Sequence, residues 1–338
     1  MKAAPERGIF KGPSHCVTYM VGDLVIESTA LTKAYGPHVA LDSLDIEIHQ
    51  GATGLLGPNG AGKSTFLKTI LGLIQVTSGD GKVLGHDIRT QGDQIRQKIG
   101  YMPEYDALNP GMDAIHQVRY SGELMGMNPS IALQRAHQSL EYVGLGEQRY
   151  RQVSTFSTGM KQATKLACAL IHDPALIIAD EPSNGLDAFT RNFMLNTLNT
   201  TVKNGGRSVL MASHLMDDVE RVCDNIVLLH KGKLAAQGKI EDLKAIDREV
   251  EIHVWGSATK MEETLSDRGL RVRREGRVMR IGHSGDETYD LILQTAADVG
   301  SQVRRMHDYE ASLEDLFLVI MERLGHDVKS SEDLLGGA

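Results

Sequence analysis

The segment GLLGPNGAGKST at residues 54 to 65 restricts the possible folds more than any other, because from Gly57 to Ser64 it has the form G-x-x-x-x-G-K-S. Residues just before it read as a strand, and in the run after it Phe66, Leu67, Ile70 and Leu71 share one helical face. A strand thus delivers a glycine-rich loop to a helix start. The unpaired N–H groups and the positive dipole end of such a terminus favour a polyphosphate. Gly57, Gly60 and Gly62, with Pro58, Asn59 and Ala61 between them, let the backbone close on it. Lys63 can reach the β and γ phosphates, the Ser64 hydroxyl can ligate Mg2+, and Thr65 completes the loop. A nucleoside triphosphate is the expected ligand. The plainer alternative, a glycine-rich turn before a helix, stays open on the pattern alone.

A length of 338 residues points to two domains, and 41% hydrophobic with 24% charged residues leaves ample material for a core. The net charge of -8 disfavours a general polyanion binder, since phosphate backbones are held by clustered Lys and Arg. No nucleic acid partner is expected. Cys16, Cys168 and Cys223 have neither metal-ligand nor redox spacing, which fits a reducing compartment. No apolar run approaches the ~20 residues that cross a bilayer, and the first residues lack the apolar core of a secretory signal. A cytoplasmic location is expected, with any membrane role exercised through a partner.

Residues 1 to 20 carry Pro5, Pro13, Gly8 and Gly12 without periodicity and read as a flexible tail. From 21 to 245 strands and helices alternate, and the near-continuous apolar runs at 175–179 and 208–212 look like strands buried on both faces of a parallel sheet. This is an α/β nucleotide-binding core. From 246 to 325 the pattern restarts as β-α-β-β-α-β-α, a small α+β domain of ferredoxin-like type, followed by a second tail at 326–338.

In ALIIADEP, Asp180 and Glu181 end an apolar strand at the carboxyl edge of the sheet, where such folds bind ligands. One acid can hold Mg2+ while its neighbour faces the γ-phosphate and orients the attacking water. Alone, the pair reads as well as a solvated strand end. A third element, FSTGMKQ at 156 to 162, lies ahead of it, with Ser157 placed 23 residues before Asp180. In isolation that string is a serine-capped helix start.

With these three elements in this order, the chain resembles the ATP-binding subunits of ABC transporters. The resemblance implies a P-loop NTPase cassette: a RecA-like parallel-sheet core, an antiparallel β subdomain, and an α-helical subdomain at about 105–165. It implies that Ser157 and Gly159 meet the γ-phosphate of ATP held by another subunit, although Phe156, Thr158 and Met160 replace the commoner Leu, Gly and Gln. It assigns His214 in Ser213-His214 to the γ-phosphate, SNGLD at 183 to 187 to communication between subunits, and Tyr35 to stacking on adenine. Glu181 is implied as general base, and Asp180 with Ser64 as Mg2+ ligands. Glu104 in IGYMPE stands where most of the family has a metal-binding glutamine, and a carboxylate can also bind the metal.

ASLEDLFL at 311 to 318 resembles the closing segment of the subgroup that serves ABC-2 type membrane proteins, commonly exporters; on its own it is an amphipathic helix capped by Ser312. The implied partners are a separately encoded transmembrane permease and a second copy of the chain or a paralogous ABC subunit. The implied location is the inner face of the cell membrane. A cytosolic ABC-type ATPase acting on ribosomes or DNA is the alternative, although no coiled-coil insertion or second cassette is present. The arginines at 271, 273, 274, 277 and 280 interleave with Val272, Val278 and Ile281, which reads as a solvated sheet face.

Overall fold

The computed structural model describes residues 10–11, 24–245, 249–282, 285, 287–309 and 311–324. The expected tail at 326–338, Cys16, and all of the expected N-terminal tail except residues 10–11 lie outside the described residues. Phe10–Lys11 form a short strand parallel to Lys233–Lys239, so these two residues are paired where a tail without regular structure was expected. Chain contacts separate one compact unit ending at Lys239 from a second beginning at Ile240. The division falls before the helix Ile240–Ala245, whose Ile240 and Leu243 are buried and which packs on Leu313–Arg323 of the same unit. Sequence periodicity had carried this helix with the first domain, because its partner lies some seventy residues further along the chain.

The first unit is built on five parallel strands, side by side in the order Asn225–His230, Ala52–Leu56, Ser208–Ala212, Leu176–Asp180 and Ile99–Met102. The three in the middle are buried along their whole length, as their apolar runs require. Register sets Leu55 beside Ala212 and Ala212 beside Asp180. Three adjacent strands therefore end abreast, and each exits into a chemically distinctive segment. An antiparallel sheet of His38–His49, Leu24–Tyr35, Ser78–Val83 and His86–Asp87 shares one apolar core with them, and Phe66, Leu67 and Ile70 of the helix Lys63–Ile70 lie inside it. Burying Phe66 alone contributes about 1.5–3 kcal/mol, which fixes the loop-bearing helix against the sheet. Between Ile99–Met102 and Leu176–Asp180 the chain inserts the helices Ala114–Leu124, Pro129–Tyr142 and Thr158–Leu170. Among the described residues no helix is long and apolar enough to cross a membrane.

The second unit carries Val272–Glu275, Val278–Gly282, Glu249–Trp255 and Gln302–Tyr309 in one antiparallel sheet, in that order. Numbered along the chain this is 2-3-1-4, the ferredoxin-like arrangement. Val250, Ile252, Val254, Met279 and Ile281 form a buried core with Met261 and Leu265 of the helix Ala258–Asp267 and Ile292 of Glu287–Asp298. The arginine cluster lies along its hairpin and is largely engaged: Arg271 pairs with Glu249 at 2.9 Å, Arg274 with Glu262 at 2.6 Å and Arg280 with Glu251 at 3.3 Å. Arg277 stacks 4.1 Å from the Trp255 ring centre.

The ASLEDLFL segment begins the last helix with a reciprocal cap. The Asp315 N–H donates to Ser312 Oγ at 3.1 Å, and the Ser312 N–H donates to Asp315 Oδ2 at 2.8 Å. Asp315 also accepts from the Tyr309 hydroxyl at 2.8 Å and lies 3.4 Å from Arg280, so it ties the helix to the sheet. These bonds, with Arg280, hold its carboxyl below the usual range against the opposing effect of burial. Ser312→Ala is expected to destabilise this unit by about 1 kcal/mol and Asp315→Ala by about 2–3 kcal/mol, since only the second also removes the acceptor of the Tyr309 hydroxyl and one of the two acids beside Arg280. Urea denaturation of the two variants checks that order.

Candidate nucleotide site

At the ends of the three central strands lies a cleft of about 390 Å3. It is lined by all residues from Pro58 to Thr65, by Glu104, Asp180, Glu181 and His214, and by His38 and Ala40. The glycine-rich loop holds its course by steric exclusion. A β-carbon on Gly57 would stand 2.3 Å from the Leu229 carbonyl oxygen, and one on Gly62 would stand 2.8 Å from that of Ala40. Both have positive φ, 149° and 106°. These two glycines let the loop sit against its own protein, whereas a β-carbon on Gly60 would meet nothing within 4 Å. The following helix, Lys63–Ile70, starts at Gly62 with no side-chain cap and no acid in its first turn, which leaves its N–H groups for an anion. Lys63 bends back so that its ammonium donates to the carbonyls of Gly57 and Pro58. Burial pulls its pKa down; Glu181, Asp180 and Glu104 oppose this.

Glu181 is held in an unusual way. Its φ of 48° is left-handed, a conformation that costs a non-glycine residue roughly 1–3 kcal/mol and is maintained only where surrounding contacts impose it. Here its N–H donates to the Ala212 carbonyl at 2.8 Å, and its Oε2 accepts from Ser213 Oγ at 3.3 Å and lies 2.9 Å from His214 Nδ1. Glu181 thus joins the histidine, while Asp180 meets the Tyr101 hydroxyl, and both acids act on the Lys63 charge. A carboxylate fixed by a histidine in this position can accept a proton from water.

Asp180 is pushed up to about 6, chiefly by burial and then by Glu104 and Glu181, while Lys63 and the Tyr101 hydroxyl at 3.5 Å draw it down. Three carboxyl groups thus share one cleft with a single lysine lining it. Magnesium fits this donor set, because oxygen ligands and uncompensated negative charge are what a hard divalent cation takes. Ser64, Asp180 and Glu104 would hold it. Among the described residues no group of three or more His, Cys, Asp or Glu is arranged to bind a metal unaided, so phosphate oxygens would complete the shell.

Several expected residues lie elsewhere. Tyr35, 48% exposed, does not line the cleft; Lys33 stands 4.7 Å over its ring, and its cross-strand partner His38 is the residue that reaches the lining. Ser157 and Gly159 are outside the cleft as well. Ser157 is exposed and caps Thr158–Leu170, accepting from the Met160 N–H at 3.3 Å. Gly159 owes its missing side chain to its own chain, since a β-carbon there would be 2.5 Å from Thr190 Cγ2. The SNGLD segment is braced: Ser183 donates to buried Asp218, which also accepts from Arg191 Nε at 2.6 Å, and Asp187 caps Ala188–Gly205. Sequence reasoning missed His38, Lys165 and Asp218. Only His38 left a trace, two residues beyond a Gly36 turn that folds it back on Tyr35.

A parallel sheet with these three exits, an antiparallel sheet beside it and a helical insertion ahead of the acidic strand define an ATP-binding cassette. A family model described as ABC transporter matches residues 41–184. Nod factor export ATP-binding protein I of Cupriavidus metallidurans is 33% identical over 304 residues, 88% of this chain and 98% of that one. The alignment is longer than the first unit and takes in part of the second. Bacitracin transport ATP-binding protein BcrA of Bacillus licheniformis is 30% identical over 302 residues, covering 88% of this chain and 97% of that protein. A solved ATP-binding subunit of an ABC transporter superimposes with a TM-score of 0.60 at 28% identity, over 66% of this chain and 92% of that one. The chain belongs to the ABC transporter family as an ATP-binding protein, and that family hydrolyses ATP.

The raised pKa of Asp180 gives a test of the charge balance. The proton is held more tightly in the folded chain than in the unfolded one, where the value is near 3.8, so this group favours folding below that pH and the contribution is lost as pH rises through about 6. Asp180→Asn keeps the neutral form. Without nucleotide or metal it is expected to exceed the wild type in stability by on the order of 2 kcal/mol near pH ~8, the gap closing below about pH 4. Denaturant titrations over that range measure it.

Proposed function

We propose that this chain is the ATP-hydrolysing subunit that powers an ABC transporter, of the ABC-2 exporter type, through closure and opening of a dimer. One observation carries the reading: Lys63, Ser64, Asp180, Glu181 and His214 line one cleft, while Ser157 and Gly159 of the same unit do not. A helix start with an exposed serine cap is suited to a phosphate it does not itself enclose. Each ATP is then held between Lys63, Ser64 and Asp180 of one subunit and Ser157 and Gly159 of the other, a second copy or a paralogous ABC subunit.

Within the site the chain mainly positions groups and stabilises charge. The loop N–H groups and Lys63 bind the phosphates once Lys63 leaves the Gly57 carbonyl. Ser64, Asp180 and Glu104 would hold Mg2+, which when bound would supply Lewis-acid neutralisation of the phosphate oxygens. Glu181 takes the proton of the attacking water, with His214 and Ser213 fixing its carboxylate. His38, which lines the cleft, would meet the base, with Tyr35 beside it on the neighbouring strand.

Export is supported by the names of the full-length relatives, one an export protein and the other a transport protein. These relatives also weigh against action on ribosomes or DNA. The partner is a separately encoded transmembrane permease, and the chain works in the cytoplasm, peripheral on the inner face of the cell membrane. Glu181→Gln is expected to lower ATP turnover by ~10²-fold or more while ATP stays bound, and Lys63→Ala to weaken nucleotide binding itself. Steady-state ATPase assays beside equilibrium nucleotide binding separate the two effects, and near-normal hydrolysis by Glu181→Gln removes Glu181 from its role.

A further inference from the structure

Lys165 lies two turns into the helix Thr158–Leu170 and is only 5% exposed. A lysine so placed on an amphipathic helix is ordinarily found with its ammonium in water. Here the ammonium donates to three successive backbone carbonyls, those of Pro103 at 2.7 Å, Glu104 at 3.0 Å and Tyr105 at 3.3 Å. An ammonium has three protons, and this arrangement uses them all on one short segment. One turn earlier Lys161 reaches Asp106 at 2.8 Å, but that pair is solvent-facing and holds the loop only weakly. The buried lysine is the stronger tether. Its desolvation is opposed by the acids around it, Asp106, Glu104 and Asp180.

The segment it grips carries Glu104 into the nucleotide cleft, and the helix it belongs to begins at Ser157. We propose that Lys165 is a positioning residue for the ATP site: by seating on the carbonyls of residues 103 to 105 it aims the Glu104 carboxylate at the metal position and ties that aim to the helix capped by Ser157. The inference rests on the ATP and Mg2+ reading above. The same lysine also places a positive charge near the Glu104 carboxylate. Replacing Lys165 by methionine keeps length and volume but leaves three carbonyls without their donor.

The test is titration of a fluorescent ATP analogue, mant-ATP, into the full chain in excess EDTA and in excess Mg2+, with thermal melts of each variant. For Lys165→Met the affinity gained on adding Mg2+ is expected to shrink by about 10-fold or more relative to the wild type, with affinity in EDTA unchanged, as for loss of a group supporting a metal ligand. Lys165→Arg, which keeps charge and donors, should retain most of the gain. A folded Lys165→Met with the full Mg2+ gain overturns the proposal, and so does an equal loss in both buffers, which would mark a purely structural role. If Lys165→Met does not fold, Lys165→Gln is measured in the same way and a full gain there overturns it. Wild-type protein that binds mant-ATP in neither buffer removes instead the ATP-site reading beneath the inference.

Discussion

Three carboxyl groups around one lysine, two of them, Asp180 and Glu181, brought out of water, are the constraint on which the site depends. Asp180 cannot ionise freely while Glu104 and Glu181 face the same cleft, and Lys63, itself desolvated, is too little positive charge to balance them. The neighbouring glycine loop adds a helix start that has no side-chain cap and no acid in its first turn. Excess negative charge on one wall and an uncapped helix start on the other describe a place that is complete only when a cation and a polyanion arrive together. Magnesium with a nucleoside triphosphate meets both needs. Ordinary folding stability would have removed such a cluster, and the left-handed Glu181 is a further cost borne at the same spot.

Sheet topology creates this concentration. Placing Ser208–Ala212 between Ala52–Leu56 and Leu176–Asp180 brings the exits of three strands together, although they are far apart in the chain. From that edge, contacts run outward in a traceable sequence. Glu181 binds His214, Ser183 binds Asp218, Asp187 caps the helix that packs under Gly159, and Lys165 grips the segment bearing Glu104. Glu181, His214 and Glu104 line the cleft, and the partners named beyond them lie outside it. Changes at the phosphate position therefore have a mechanical route to the helical insertion.

Much of this was legible in the sequence, because phosphate binding constrains consecutive residues and buried parallel strands leave unbroken apolar runs. The loop, the acidic pair and the two-unit plan were readable from such local patterns, and the strand order of the second unit followed from its β-α-β-β-α-β sequence. What was not legible depends on distant partners. Gly57, Gly62 and Gly159 look like residues that make room for phosphate, yet their nearest obstacles are Leu229, Ala40 and Thr190 of their own chain. Lys165 went unnoticed, since nothing in a helix's periodicity reveals three carbonyls waiting beneath it. Tyr35 drew attention as an aromatic, and the hairpin placed His38 in the lining instead.

The central claim is that one chain holds half of a site and needs a second chain's Ser157 to complete it. The most direct measurement is specific ATPase activity of purified protein across a dilution series that takes it from dimer to monomer, with sedimentation recorded at each concentration. The account predicts that activity per chain falls away with the dimer and that Ser157→Ala lowers it at every concentration where dimers exist. Brisk hydrolysis by monomers, undiminished by Ser157→Ala, would contradict it.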